Sequence, residues 1–278
     1  MKIAVLVENT AIGTLTGEHG LSLLIEFQNE KYLLDAGTTD VFMKNAKSMG
    51  VDLMHIKTCV LSHGHYDHSG GFGTYLHDNK QAVVYAMKTA DREYYSGSGE
   101  LHEIGIPKVV LQDHGKRFIY VDKITEIAKD VYVIPHNTTG LEQIGVRAKL
   151  YKKQGEEYLP DDFAHELSLV FDTNRGLVLF NSCSHGGVQN IVREVQEALP
   201  GKKIYAYVGG LHMKGKQDGK EICTFSQEEV EELVEYLKMC GVEHLYTGHC
   251  TGKVALEMLK SYGGNMVQEL STGREIVV

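Results

Sequence analysis

The sequence has few of the features that mark disordered, secreted or membrane-embedded chains. It has only 4 prolines, and 23% of its residues are charged, which argues against extensive disorder. No run of about 18 apolar residues occurs, so no segment is predicted to span a membrane. The apolar stretch Ile3–Val7 is too short for a signal peptide and is followed at once by Glu8. That stretch is therefore predicted to be a first strand.

Paired cysteines and positive charge are also scarce. The 5 cysteines are odd in number and include no Cys-x-x-Cys pair, so a disulfide framework is not expected and the predicted location is the reducing cytoplasm. Lys and Arg total 28 against 37 for Asp and Glu, a net charge of −9. This balance disfavours nucleic acid as a partner, because binding a phosphate backbone relies on cationic side chains. It is compatible with a small anionic substrate held by a few local cations.

What the sequence does contain is a regular alternation of apolar patterns. Its 278 residues are 42% hydrophobic, enough to bury a sizeable core. Short runs rich in Val, Ile and Leu predict strands, and apolar residues at helical spacing predict helices between them, which indicates a layered α/β fold. The predicted strands include Leu21–Phe27, Lys31–Asp35, Thr58–Leu61, Lys108–Leu111, Leu177–Phe180, Ile204–Val208, Leu245–Thr247 and a terminal pair within Met266–Val278.

The predicted helices include Asp40–Met49, Gly187–Leu199 and Val254–Tyr262, and Ser226 with Glu229 has the spacing of a capping box that begins another. Residues 91–161 have a weaker pattern. We predict one domain spanning residues 1–278, in which 91–161 form a lid or a small inserted subdomain. An irregular part of the main sheet is the alternative for that segment.

The richest group of chemically active side chains is Ser62–Gly71. Three imidazoles and a carboxylate follow the apolar run Thr58–Leu61 in the order His-x-His-x-Asp-His. Nitrogen and oxygen donors this close together are typical of a metal site, and zinc suits these ligand types. Two of the histidines alternate in an extended segment, and the Asp-His pair follows one turn later, where it could hold a second ion. A polar loop that is merely rich in histidine is the alternative, since the chain has 14 histidines.

Two further histidines follow predicted strands in the second half of the chain. His185 comes after Leu177–Phe180 and just before a helix, and His249 comes after Leu245–Thr247. Because loops at strand ends are held by the rigid sheet, both are candidate ligands. Capping or packing is the alternative role for each.

These motifs resemble the metallo-β-lactamase superfamily, whose signature is the His-x-His-x-Asp-His loop after a buried strand. The sequence is similar in particular to the branch that includes the archaeal 7,8-dihydropterin-6-methyl-4-(β-D-ribofuranosyl)aminobenzene 5'-phosphate synthase. The resemblance extends over most of the chain. It is carried by the segments Glu18–Ser22, Ser62–Gly71, Asn181–Gly187, Gly209–His212 and Tyr246–Cys250.

The resemblance implies an αββα four-layer sandwich with metals at one edge between two sheets. It implies the metal ligands His63, His65, Asp67, His68, His185 and His249, of which Asp67 and His68 are also the catalytic residues. Asp35, at a strand end, is implied to accept a hydrogen bond from a ligand imidazole, with turn capping as its alternative role. Glu18 and His19 are placed near the pocket by the resemblance, whereas the sequence alone indicates a loop.

The chain departs from the family pattern at one position. Many members carry a metal-bridging aspartate at the end of a strand that reads like Leu177–Asn181, but this neighbourhood offers Cys183 and no acid. Three explanations stay open: Asp67 with water serves both ions, His185 fills the gap, or the second metal binds weakly. Cys183 itself is either a thiolate ligand or a small buried residue.

Three other residues each have two alternative roles in or near the expected site. His165 and Glu166 could contact the metals or their ligands, although a surface or core role is favoured for His165. His212 follows another strand end and either contacts substrate or is structural.

The expected chemistry is metal-dependent. Two divalent ions, zinc ahead of iron or manganese, would activate water to hydrolyse an ester or phosphoester in a small substrate. Asp67 is expected to hold that water and move its proton. An imidazole at His65 favours zinc, because the diiron members of the superfamily carry glutamate there.

Two alternatives to hydrolysis are a dihydropterin-transferring synthase that displaces diphosphate in pterin cofactor biosynthesis, and a non-catalytic metal-binding sensor. The expected partner is a small molecule, anionic or pterin-like, rather than nucleic acid or a membrane. A pterin would need an aromatic stacking wall, for which Tyr94, Tyr95 or Tyr151 are candidates by composition alone.

Overall fold

Mixed β-sheets flanked by helices account for most of the chain in the computed structural model, which describes residues 1–278. The earlier strands are β1 (Lys2–Val7), β2 (Ser22–Phe27), β3 (Glu30–Leu34), β4 (Thr58–Val60), β5 (Val83–Met87), β6 (Tyr94–Ser96), β7 (His102–Glu103), β8 (Phe118–Val121), β9 (Thr125–Ala128), β10 (Val131–Pro135), β11 (Leu150–Gln154) and β12 (Glu157–Pro160). The later strands are β13 (Leu167–Thr173), β14 (Gly176–Phe180), β15 (Ile204–Val208), β16 (Lys214–Gln217), β17 (Lys220–Cys223), β18 (His244–Thr247), β19 (Val267–Glu269) and β20 (Glu275–Val277). The α-helices are α1 (Val41–Ser48), α2 (Tyr66–Ser69), α3 (Phe72–Asp78), α4 (Lys108–His114), α5 (Glu142–Ala148), α6 (Val188–Ala198), α7 (Gln227–Met239) and α8 (Lys253–Gly263).

The chain divides into two compact units. The first unit comprises Met1–Lys123, Pro135–Leu167 and Ser271–Val278, and the second comprises Ile124–Ile134 and Ser168–Leu270.

The first unit is built on a seven-stranded sheet of order β20-β1-β2-β3-β4-β5-β8. Strands β3, β4, β5 and β8 run parallel, with Leu34 opposite Val60. The carboxyl ends of parallel neighbours lie at the same edge of a sheet. The residues that follow β3 and β4, Asp35 and Ser62–His63, are therefore brought side by side.

A four-stranded sheet, β12-β11-β6-β7, also belongs to the first unit. Helix α5 packs near it, over a small apolar cluster of Leu141, Leu150 and Phe163. All four strands come from residues 91–161, but that segment also supplies β8 to the first large sheet and β9 and β10 to the second. The role of the segment as a lid stays a prediction.

The second unit contains a seven-stranded sheet of order β19-β18-β15-β14-β13-β10-β9. Strands β14, β15, β18 and β19 run parallel, so the loops after β14, β15 and β18 emerge at one edge. Helices α6, α7 and α8 bury their apolar faces in one core with this sheet, through residues such as Ile191, Leu233 and Leu256. Burying these faces is the main source of stability for helices of this length.

The predicted α/β class is confirmed, and most predicted elements lie within a residue or two of those observed. Ser226 and Glu229 form both hydrogen bonds of the predicted capping box. The two strands predicted within Met266–Val278 are present as β19 and β20, in different sheets. One local prediction needs correction, because Lys108–Leu111 begins helix α4 instead of forming a strand. No helix is both long enough and apolar enough to cross a membrane.

Candidate metal-binding residues

The loop after β4 gathers three imidazoles in the first unit. The ring centroid of His63 lies 4.6 Å from that of His65 and 4.2 Å from that of His68. All three histidines are buried. His65 has an extended backbone, with φ −106° and ψ 150°, and the chain then turns into helix α2, which carries Asp67 and His68. The extended step followed by one helical turn is what brings donors so close in sequence together in space.

Asp35 and Ser62 fix the proton positions on two of these rings. The Asp35 carboxylate accepts hydrogen bonds from Ser62 N at 2.8 Å, from Ser62 Oγ at 2.7 Å and from His68 Nδ1 at 2.7 Å. Because Ser62 Oγ gives its only proton to Asp35, it accepts the Nδ1 proton of His63, at 2.8 Å. These bonds assign the Nδ1–H tautomer to His63 and His68, which places the lone pair of each ring on Nε2. A neutral ring nitrogen with its other nitrogen anchored to a carboxylate is the usual form of a metal ligand.

Asp67 lies beside these rings and close to the segment that begins at Glu18. Its Oδ2 is 3.3 Å from Nε2 of His19 and 3.6 Å from Nε2 of His68. The side chain of His19 is 60% exposed, whereas that of Asp67 is 11% exposed. The pair therefore connects a nearly buried carboxylate with solvent.

Glu18 connects this segment to the loop before α1 through hydrogen bonds. Its Oε1 accepts from the backbone N–H groups of Thr38 and Thr39, both at 3.0 Å, and its Oε2 accepts from Thr39 Oγ1 at 2.6 Å. These bonds account for Glu18 as a carboxylate that shapes the loop before α1.

His165 supports the loop from the other side. Gly64 N–H donates to His165 Nδ1 at 3.0 Å, so the ring carries its proton on Nε2 and donates it to Asp161 Oδ2, also at 3.0 Å. The possible ligand atoms of His65, Asp161 and His165 lie within 4.8 Å of one another, but both nitrogens of His165 are already used. A core role for His165 agrees with this geometry. Asp161 was not predicted as a partner of His165, and the separation of four residues between them is the one sequence signal for the pair.

Two neighbours of His165 have less direct roles. Glu166 is buried, and its carbonyl accepts from His136 N at 3.4 Å. The Tyr94 ring lies 4.0 Å from the His165 ring, and burial raises the pKa of Tyr94 above its ordinary value. Tyr94 is thus a packing residue and cannot offer an open stacking wall, which corrects that suggestion. Tyr95 instead stands against Tyr158, with ring centroids 4.8 Å apart.

The second unit has its own group of donors at the ends of β14 and β18. Cys183, His185 and His249 are each only 3% exposed. Cys183 Sγ lies within 4.8 Å of a ring nitrogen of His185 and within 4.8 Å of a ring nitrogen of His249. His249 adopts a left-handed backbone conformation, with φ 52°.

Hydrogen bonds hold the turn that carries Cys183. Ser184 N donates to Asn181 Oδ1 at 2.7 Å, and Ser184 Oγ donates to the Gly210 carbonyl at 2.6 Å. Leu211 N donates to Thr251 Oγ1 at 2.9 Å, which ties the loop after β15 to the loop after β18. The three loop ends are therefore joined into one framework.

His212 and Cys250 stand beside these donors. His212 is half-buried and has a backbone φ of 49°. Its ring lies 4.5 Å from the ring of His185. Cys250 Sγ lies 3.6 Å from the carbonyl oxygen of Cys183. Burial raises the pKa of the Cys250 thiol, but hydrogen bonds with Cys183 and His212 and the neighbouring His249 outweigh it and hold the pKa well below its ordinary value. Nothing in the sequence singles out Cys250, because adjacency to His249 alone does not indicate a lowered thiol pKa.

Comparison with known proteins agrees with the motifs. Residues 15–172 match the family model of the metallo-beta-lactamase superfamily. The chain is 26% identical over 273 residues to the 7,8-dihydropterin-6-methyl-4-(beta-D-ribofuranosyl)-aminobenzene-5'-phosphate synthase of Methanocaldococcus jannaschii, covering 93% of this chain and 90% of that protein. It is 28% identical over 267 residues to an uncharacterized protein of the same organism, covering 92% of this chain and 93% of that protein. A solved structure described as a metal-dependent hydrolase of the beta-lactamase superfamily matches with a TM-score of 0.81 at 30% identity, covering 100% of this chain and 99% of that chain.

Proposed function

Because this chain belongs to the metallo-β-lactamase superfamily, we propose that it is a metal-dependent hydrolase acting on an ester or phosphoester bond of a small substrate. The superfamily and the named synthase relative are enzymatic, and both hydrolysis and group transfer are compatible with them. We propose zinc as the metal and two ions per chain. The ligands we propose are His63, His65, Asp67, His68, His185 and His249.

The observation that carries the proposal is the tautomer of His63 and His68 and the burial of the loop histidines. Asp35 and Ser62 hold the Nδ1 protons of His68 and His63, so Nε2 of each ring carries a lone pair within a buried group of imidazoles. Neutral imidazole nitrogens supported by a carboxylate suit zinc, and a mixed His and Asp set resembles catalytic zinc sites more than Cys-rich structural ones. The donors of the first unit therefore fit the metal that the family implies.

The chain's own groups supply the acid–base part of the reaction. When bound, the metal supplies Lewis-acid activation of water and of the substrate's reacting oxygen. In this proposal the Asp67 carboxylate accepts a proton from the attacking water, and His19, which is exposed and 3.3 Å from Asp67, passes that proton to solvent. Asp35 keeps His68 oriented beside Asp67 throughout.

The second candidate function is a transferase. The Methanocaldococcus jannaschii relative is named a synthase, and it aligns with 93% of this chain. We propose as the alternative that the enzyme transfers a dihydropterin group and releases diphosphate. A non-catalytic metal sensor is a third candidate, and only the presence of the donor groups supports it.

The net charge supports the proposed substrate class, and the free cysteines support the proposed location. With a net charge of −9, the protein is proposed to act on a small anionic or pterin-like molecule and not on nucleic acid or a membrane surface. The cytoplasm, where free thiols persist, is the proposed compartment.

The test combines metal analysis with a substrate panel. Purified protein is analysed for zinc, iron and manganese per chain, then assayed on phosphodiester and ester substrates and on dihydropterin diphosphate. About two zinc ions with phosphodiester or ester cleavage would support the hydrolase. Turnover of dihydropterin diphosphate alone would favour the transferase, and full metal content without any turnover would favour the sensor.

Variants test whether the named residues bind the metal and take part in catalysis. His63→Ala and His185→Ala should each lower the bound metal, and Asp67→Asn should lower kcat by about 10²–10⁴-fold. His77→Ala is the matched control, since His77 is an exposed histidine whose Nδ1 lies 3.0 Å from Asp78 Oδ1. Metal content and activity that stay unchanged in both ligand variants would refute the assignment.

A further inference from the structure

The side chain that the proposed ligand set leaves out is Cys183. It is buried to the same degree as His185 and His249, at 3% exposure each. Its Sγ lies within 4.8 Å of a ring nitrogen of each of these histidines. A thiol placed between two imidazoles of a proposed metal site is itself a strong zinc donor once its proton is lost.

We propose that Cys183 binds metal as a thiolate and is shared by the ions that His185 and His249 hold. The inference rests on the proposed metal-dependent function. In the binding step the Cys183 S–H bond breaks, a sulfur–metal bond forms, and the proton is released to solvent. No oxidant or reductant takes part.

The local structure fixes Cys183 in this position. Its turn is closed by the bonds from Ser184 to Asn181 and to Gly210. The backbone packs so tightly here that a Cβ on Gly209 would lie 1.8 Å from the Asn181 carbonyl oxygen. These bonds and the close packing hold the backbone that carries Cys183 in place beside the two histidines.

A second thiol provides a matched control. Cys250 also lies in this region, 3.6 Å from the Cys183 carbonyl, but it joins no group of three close metal-ligating atoms. Cys240, the residue that follows α7, is a further free thiol away from these donors. Cys240 can be changed to serine without touching the proposed ligand, and Cys250→Ser tests the thiol that contacts the Cys183 carbonyl.

The experiment is a cobalt titration of metal-free protein under anaerobic conditions. Cobalt bound by imidazoles gives visible ligand-field bands, and cobalt bound by a thiolate adds a charge-transfer band in the near ultraviolet. We expect wild type, Cys250→Ser and Cys240→Ser to show both signals, and Cys183→Ser and Cys183→Asp to keep the visible bands but lose the charge-transfer band. If the thiolate is shared, the charge-transfer band of wild type grows over both the first and the second cobalt equivalent.

A measurement on unmodified protein covers the case in which the Cys183 variants do not fold. X-ray absorption of the zinc-loaded wild type should show sulfur at about 2.3 Å from zinc. Bound cobalt or zinc with no thiolate signal would overturn the inference while leaving the proposed function standing. Loss of the charge-transfer band in Cys250→Ser but not in Cys183→Ser would also overturn it. A band that saturates at one equivalent would refute the sharing, and failure to bind any metal would refute the proposed function itself.

Discussion

Asp35 holds the protons of the loop in place through three hydrogen bonds, to Ser62 N, Ser62 Oγ and His68 Nδ1. Asp35→Asn would replace one accepting oxygen by an N–H donor that faces these donors. We expect zinc affinity to fall by about 10–100-fold, measured by competition with a chromophoric chelator. Asp52→Asn is the control, because Asp52 makes a comparable bond to His55 on the surface, at 2.6 Å. Unchanged affinity in Asp35→Asn would show that the loop imidazoles need no such anchor.

Gly64 separates the first two histidines of the loop and has no room for a side chain. A Cβ at this position would lie 2.3 Å from the carbonyl oxygen of Ala90. Gly64→Ala should therefore lower the free energy of unfolding by about 2 kcal/mol and weaken zinc binding. Urea denaturation and the same chelator competition measure the two effects. Gly115→Ala, where a Cβ meets nothing within 4 Å, should change neither by a comparable amount.

Among the elements, the hairpin β16–β17 acts on the start of helix α8. Glu221 Oε1 accepts from Lys253 N at 2.5 Å and from Val254 N at 3.2 Å, and Lys214 lies 3.6 Å away. Burial alone would raise the pKa of Glu221, but these backbone bonds and the lysine outweigh burial and lower it. Because α8 begins three residues after Cys250, the carboxylate helps to hold the loop that carries His249.

Glu221→Gln should lower the free energy of unfolding by about 1 kcal/mol at neutral pH, since an anion at a helix N-terminus is lost. The folded state has the lower pKa, so this contribution is complete above the ordinary glutamate pKa and disappears as pH falls through the folded value. Denaturation of both proteins at several pH values tests this. Glu231→Gln, at an exposed position within α7, is the control. A difference between wild type and Glu221→Gln that grows on acidification would contradict the assignment.

Element boundaries show where local patterns succeed and fail. The capping box of α7 was predictable because both of its bonds join residues three apart. Helix α4 was not predictable from the sequence, because Val109 and Val110 have the β-branched side chains typical of a strand and only Val110 is buried. Propensity is a weak guide in so short a segment, and the preceding Pro107 is compatible with a helix start.

For the molecule as a whole, metal should act as a stabilising ligand. Metal that binds only the folded chain adds about 2.7 kcal/mol to the free energy of unfolding when its free concentration is 100 times its Kd. Chelator-treated protein should therefore unfold at lower urea concentration than zinc-loaded protein. In His63→Ala this difference should shrink, and in His77→Ala it should persist. Identical unfolding of wild type with and without zinc would argue against binding to the folded state.

The sequence by itself determined the features that depend on neighbours along the chain. These are the α/β class, the alternation His63-x-His65 before Asp67 and His68, and the placement of His185 and His249 after strands. Such features can be read because strand and helix geometry fixes the directions of residues a few positions apart.

Only the tertiary structure decided which distant side chains complete the site. Asp35 reaches His68 across 33 positions, His165 reaches Gly64 across 101, and Cys183 meets His249 through loops of different strands. These pairings depend on which strands run parallel as neighbours and on how tightly their loops pack. A single sequence contains no local signal for strand order or for loop packing. The hydrogen bonds that Asp35 makes to the histidine loop, and the position of Cys183 beside His249, are therefore visible only in the fold.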